Sequence, residues 1–109
     1  MASGGVKSQV WESIGSATGT TQISIPAYCD ELLVYAAFGG NQSYGFSFYA
    51  IRNHSIYPSN LTGGSYISPA DAHACIINID WESNKVALAT WIWAGTDYTA
   101  TSRITVYGK

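Results

Sequence analysis

The sequence predicts an all-β domain, a jelly-roll-like β-sandwich of seven or eight strands. Three observations carry that expectation. Apolar residues recur with period two in short segments, the spacing that sends alternate side chains to opposite faces of a strand. Clusters of Gly, Pro, Asn, Asp and Ser separate those segments at short intervals, as turns do in sandwiches and barrels. No stretch reads convincingly as a helix. The chain has 109 residues, the size of one domain. Residues 1–7 read as a flexible leader, starting Met1-Ala2-Ser3-Gly4-Gly5, and residues 8–109 as the sandwich.

In chain order, Gln9 to Ile14 alternates, with Val10 and Ile14 opposite Trp11. Gly15-Ser16-Ala17-Thr18-Gly19 has the composition of a turn. Thr21, Ile23 and Ile25 alternate with Gln22 and Ser24, a half-buried strand that Pro26 ends because proline has no N–H for a ladder. Asp30 to Phe38 places Leu32, Val34, Ala36 and Phe38 on one face, opposite Glu31, Leu33, Tyr35 and Ala37. Beyond Gly39-Gly40-Asn41-Gln42-Ser43, Tyr44, Phe46, Phe48 and Ala50 alternate with Gly45, Ser47, Tyr49 and Ile51, as the second arm of a hairpin would. Asn53 to Tyr66 is the least regular part and reads as a long loop with room for one short strand. Ala72 to Trp81 collects His73, Cys75, Ile77, Ile79 and Trp81 on one face, and Glu82-Ser83-Asn84-Lys85 turns out of it. Ala94 to Tyr98 turns again, and Ala100 to Tyr107 closes the chain with Ile104 and Val106 inward.

The segment Lys85 to Trp93 organises the rest. Read with strict period two, Val86, Leu88 and Ile92 share one face, and Ala87, Ala89, Trp91 and Trp93 share the other. Both faces are apolar, whereas a strand in a two-layer sandwich has one inward and one outward face. With the aliphatic residues inward, the tryptophans face outward, a patch that monomers rarely expose. That assignment makes Ala87, Ala89, Trp91 and Trp93 a subunit interface, with small alanines allowing close approach.

Composition excludes several function classes. Net charge is −2, and the five basic residues are scattered singly, so no nucleic-acid partner is expected. No apolar run approaches about 20 residues, so no membrane insertion is expected. Asp71, His73 and Cys75 share a strand face, but a metal needs a third or fourth donor and the other histidine is the distant His54. Asp30 with Glu31 and Asp80 with Glu82 read as solvated turn pairs, and no Gly-x-Ser-x-Gly elbow is present. The expectation is therefore no enzyme, no metal and no cofactor. Cys29 and Cys75 read as two buried thiols.

Trp11-Glu12, the Gly/Thr-rich Gly15 to Thr20, the strand ending Ile25-Pro26, Asp30-Glu31 leading into Leu32-Leu33-Val34-Tyr35, and the finish Ile104-Thr105-Val106-Tyr107-Gly108-Lys109 form a rhythm. From about Val10 to Lys109 it resembles the small C-terminal domains of tailed-bacteriophage fibre and appendage proteins, of receptor-binding or head-fibre type. The resemblance implies a non-enzymatic virion domain, made in the host cytoplasm, that assembles as a homotrimer and contacts a host surface.

Tyr57, Asn60, Tyr66, Asp97 and Tyr98 are the candidate ligand-binding residues. They combine aromatic faces, on which sugar rings stack, with amide and carboxylate groups for hydroxyls. The expected function is attachment to a bacterial surface glycan or protein. The alternatives are a monomeric carbohydrate-binding module and a purely structural fibre-capping domain.

Overall fold

The computed structural model describes residues 10–41, 43–52 and 72–109 in full, and residues 60–65 by their backbone. The strands are β1 (Glu12–Thr18), β2 (Ile23–Ser24), β3 (Glu31–Ala37), β4 (Gly45–Ile51), β5 (Asn60–Ser65), β6 (His73–Asp80), β7 (Lys85–Trp93), β8 (Thr96–Asp97) and β9 (Arg103–Gly108). One sheet runs β1-β9-β3-β4 and the other β2-β7-β6-β5, with β8 paired to β7. Every pairing is antiparallel. The sheets pack face to face, so the expected all-β sandwich is present. The leader, Tyr57, Tyr66, His54 and Asp71 lie outside the described residues.

The core lies between the sheets. Leu32, Val34 and Ala36 of β3 and Ile104 and Val106 of β9 face Cys75, Ile77 and Ile79 of β6 and Val86 and Leu88 of β7. The inward faces that alternation assigns to β3, β6 and β9 are the buried ones. β9 lies at the centre of its sheet, between β1 and β3.

Two elements depart from the sequence expectation, and a third is the one short strand it left room for. Gly15 to Thr18 is strand, not turn, because its backbone pairs with Arg103 to Val106. The reversal comes at Gly19, whose φ of 71° suits a residue without Cβ. The irregular middle segment contains β5, paired residue by residue with β6 from Asn60↔Asn78 to Ser65↔His73. Backbone pairing of this kind needs no apolar alternation, and Gly63 and Gly64 concealed it.

The departure in β7 is the most consequential. Ile76 pairs with Thr90 and Ile77 with Leu88, so Ala89 is an extra residue in β7. Such a bulge shifts the alternation by one position. Val86 and Leu88 point inward before it, and Trp91 points inward after it, with 0% of its surface exposed. The outward assignment of Trp91 is thereby corrected, because strict period two cannot accommodate a bulge. Ile92, expected inside, pairs with Ala74 on the outer face and is half-buried, as are Ala87 and Ala89.

At the end where β3 and β7 begin, Arg52 ties the sheets together. Its Nε and Nη2 donate to the Cys29 carbonyl at 3.0 and 2.7 Å. Its Nη1 donates to the Trp81 carbonyl at 3.1 Å and to Asn84 Oδ1 at 2.8 Å. The guanidinium also lies 4.6 Å from the Trp81 ring centroid. Four charge-assisted hydrogen bonds in a planar fork suit arginine and not lysine.

β7 and β8 are joined by the two-residue turn Ala94-Gly95, with φ of 48° and 77°. Left-handed backbone suits Gly and Asn and strains alanine. Ala94→Asn should therefore raise stability by about 0.5–1 kcal/mol, read as a higher midpoint in urea unfolding. Val106 is fully buried between β1 and β3. Val106→Asp should abolish the cooperative melting transition, since an unpaired buried charge costs about 3 kcal/mol or more. A soluble variant that still melts cooperatively would place β9 outside the core.

Candidate functional site

The end of the sandwich opposite Arg52 is built from aromatic rings. Phe38 follows β3, and Trp91 and Trp93 end β7 on one phase, so the bulge at Ala89 brings all three together. Trp91 stacks on Phe38 at 5.6 Å between centroids and 10° between planes. Phe38 stacks on Trp93 at 4.9 Å and 26°, and Trp93 on Tyr44 at 5.5 Å and 30°. The pairs form a column, Trp91–Phe38–Trp93–Tyr44, running from a sealed ring to one that is 53% exposed. Phe46 packs against Trp91 at 5.3 Å, and Tyr98 meets Phe38 edge-on at 4.8 Å. His73 meets Trp93 edge-on at 4.4 Å. Offset and edge-on contacts between rings contribute about 0.5–1.5 kcal/mol each beyond the burial of area.

The loops around the column are tied down by hydrogen bonds. Phe38 N–H donates to the Tyr44 carbonyl at 2.9 Å, and Tyr44 N–H to the Asn41 carbonyl at 3.0 Å. Ser43 N–H donates to Asn41 Oδ1 at 3.0 Å. A Cβ on Gly40 would stand 2.6 Å from the Phe38 ring, so the loop crosses that ring where only glycine fits. Buried Ser102 accepts from Gly39 N–H at 2.9 Å and donates to the Tyr98 carbonyl at 2.8 Å. The His73 Nδ1 accepts from Ala94 N–H at 3.2 Å, which leaves the proton of the neutral imidazole on Nε2.

Of the sequence-predicted ligand residues, Asp97 and Tyr98 brace this end. The Asp97 carboxylate accepts from Thr99 N–H at 2.8 Å and from its hydroxyl. Those hydrogen bonds, the side-chain one first, hold its pKa below the ordinary aspartate value. Thr99 Oγ1 in turn accepts from Trp91 N–H at 2.9 Å, while Tyr98 N–H donates to the Trp91 carbonyl at 2.8 Å. Asp97 also borders an open depression with Gly19, Thr20, Thr99 and Ala100. Asn60 sits on β5 opposite Asn78, away from Asp97 in its sheet. Of the predicted interface residues, Trp93 is half-buried in the column and Trp91 has no surface to present to a partner. Sequence reasoning missed Tyr44, Phe38 and His73 as neighbours of Trp93.

A second aromatic surface covers the outer face of the β1-β9-β3-β4 sheet. Leu33 pairs with Tyr107 on one side and Tyr49 on the other, and Tyr35 lies two residues along. Tyr35, Tyr49 and Tyr107 are 38%, 52% and 38% exposed. Trp11 meets Tyr49 edge-on at 6.3 Å, with Lys109 Nζ 4.8 Å from the Trp11 centroid. The Tyr49 hydroxyl donates to Glu31 at 2.5 Å, which raises the tyrosine pKa.

Among the described residues, no three His, Cys, Asp or Glu side chains stand together as a metal site. Cys75 lies in the core beside Trp91, and burial pushes its thiol up to about 12. Cys29 is also buried, and neither cysteine is in a disulfide.

No family model, curated protein or solved structure matches the chain.

The buried thiols generate a direct expectation. Folded protein at pH 8 should leave both cysteines unreacted with an aromatic disulfide reagent, because the thiolate is the reactive species and burial disfavours it. Guanidinium without reductant should then release two thiols per chain. A count of zero would reveal a disulfide.

Proposed function

We propose that this chain is an attachment domain, the tip of a virion appendage that assembles as a homotrimer and binds a bacterial surface glycan or protein. The observation that carries the binding part is the aromatic column. It holds a half-exposed tyrosine ring at the end of a rigid sandwich, a low-entropy contact suited to recognition. The virion part rests on the resemblance of the chain to phage fibre domains. The assembly part needs a surface other than Trp91. Tyr35, Tyr49 and Tyr107 around Leu33 offer one: three neighbouring strands with aromatic side chains directed outward. We place the contact between copies there.

A second reading, a monomeric carbohydrate-binding module, is favoured by one observation. The tryptophans that demanded cover from another subunit are covered within one chain, Trp91 by the core and Trp93 by Phe38 and Tyr44. Light scattering coupled to gel filtration separates the readings. A trimer of about 35 kDa, three copies of 11.7 kDa, is expected, and Tyr35→Glu with Tyr107→Glu should reduce it to monomer. A wild-type mass near 11.7 kDa would overturn the trimer in favour of the monomeric module.

A further inference from the structure

The exposed end of the aromatic column has a geometry that selects one class of ligand. One face of the Tyr44 ring is covered by Trp93, yet 53% of the residue remains exposed. The opposite face is therefore open. An isolated surface tyrosine samples several rotamers, and a ligand that stacks on it must freeze them. Here that ordering is complete before any ligand arrives. Trp93 backs Tyr44, Phe38 backs Trp93, and fully buried Trp91 backs Phe38. The backbone of Tyr44 is fixed on both sides, by its N–H to Asn41 and its carbonyl to Phe38.

Polar groups with spare capacity border the ring. Asn41 uses its Oδ1 on Ser43 N–H, which leaves its amide NH2 to donate. Exposed Ser43 precedes the tyrosine, and Tyr44 carries its own hydroxyl. His73, beside the Trp93 ring, has its proton on Nε2. An open, pre-ordered aromatic face with amide and hydroxyl groups in the same loop is complementary to a pyranose. The sugar's axial C–H face is apolar and its equatorial hydroxyls point to the rim. A peptide ligand would instead seek a groove or the free edge of β4, whereas Tyr44 lies in the β3–β4 loop, before that edge begins.

We infer that Tyr44, backed by Trp93 and neighboured in its loop by Asn41 and Ser43, is a stacking subsite for a pyranose residue of a glycan. The inference rests on the attachment reading above and names the ligand class for it.

The test uses the intact chain in its native assembly. Wild type, Tyr44→Ala, Tyr44→Phe and Tyr28→Ala are applied to a printed array of pyranoside-terminated glycans. They are also applied to a panel of bacterial cells, with and without periodate treatment, which cleaves sugar diols. The expected result is wild-type binding to a subset of pyranosides. Tyr44→Ala should weaken that binding at least tenfold, Tyr44→Phe should retain it, and Tyr28→Ala, at an exposed tyrosine beside Cys29 at the Arg52 end, should leave it unchanged. Thermal melts of the variants separate loss of the ring from loss of the fold. Retained binding in folded Tyr44→Ala overturns the subsite. A blank array with periodate-resistant cell binding overturns the sugar and leaves attachment, through a protein. A blank array with no cell binding overturns both.

Discussion

One extra residue in β7 sets the shape of an entire end of this molecule. Without the bulge at Ala89, Trp91 would share a face with Ala87 and point away from the core. With it, Trp91 enters the core, Trp93 follows on the same phase, and Phe38 finds a ring on either side. The balance of free energies favours that arrangement. A buried aromatic side chain removes about 150–250 Å² from water, which at about 25 cal/mol per Å² is on the order of 4–6 kcal/mol. The opposing cost is visible too. Among the described residues the buried Trp91 Nε1–H has no acceptor, a loss of about 1–3 kcal/mol. Burial exceeds that loss, and the loop from Asp97 to Ser102 is tied to the Trp91 backbone N–H and carbonyl.

The strands were legible where alternation was unbroken. Leu32, Val34 and Ala36, the odd-numbered residues of β6, and Ile104 with Val106 all lie where period two puts them. The bulge was harder to see, although its trace is present in the sequence. The large apolar residues of β7 sit at even positions, Val86 and Leu88, and then at odd ones, Trp91 and Trp93. A parity change without a turn residue is what an inserted residue produces. β5 was obscured for a different reason: its pairing is carried by the backbone, which composition does not report. The stacked column was invisible because it joins Phe38, Tyr44 and the end of β7, which are distant in sequence. Asp97 and Tyr98 were legible as polar and aromatic loop residues, but a sequence cannot show that their hydrogen-bonding groups are engaged within the fold.

The two ends of the sandwich are closed by different chemistry. At one end, Arg52 bonds three carbonyl or amide oxygens from both sides of the sandwich, a directional tie that requires each acceptor in place. At the other, rings stack without a donor or acceptor between them, and contact area does the joining. A stacked end tolerates small sliding movements that a forked hydrogen-bond network does not.

The central position of β9 also has a consequence in time. β1 and β3 both depend on it as a ladder partner, and Glu12 pairs with Gly108 across nearly the whole chain. During synthesis on the ribosome, the first sheet therefore cannot close until the final strand emerges. Before then, β3 can pair only with β4, and the meander from β5 to β8 can form only its own sheet. Such a nascent chain displays two unsatisfied strand edges and half of an apolar interior, and long-range pairing of this kind is intrinsically slow. The sequence separation between its pairing strands thus makes closure of the first sheet a late event in translation.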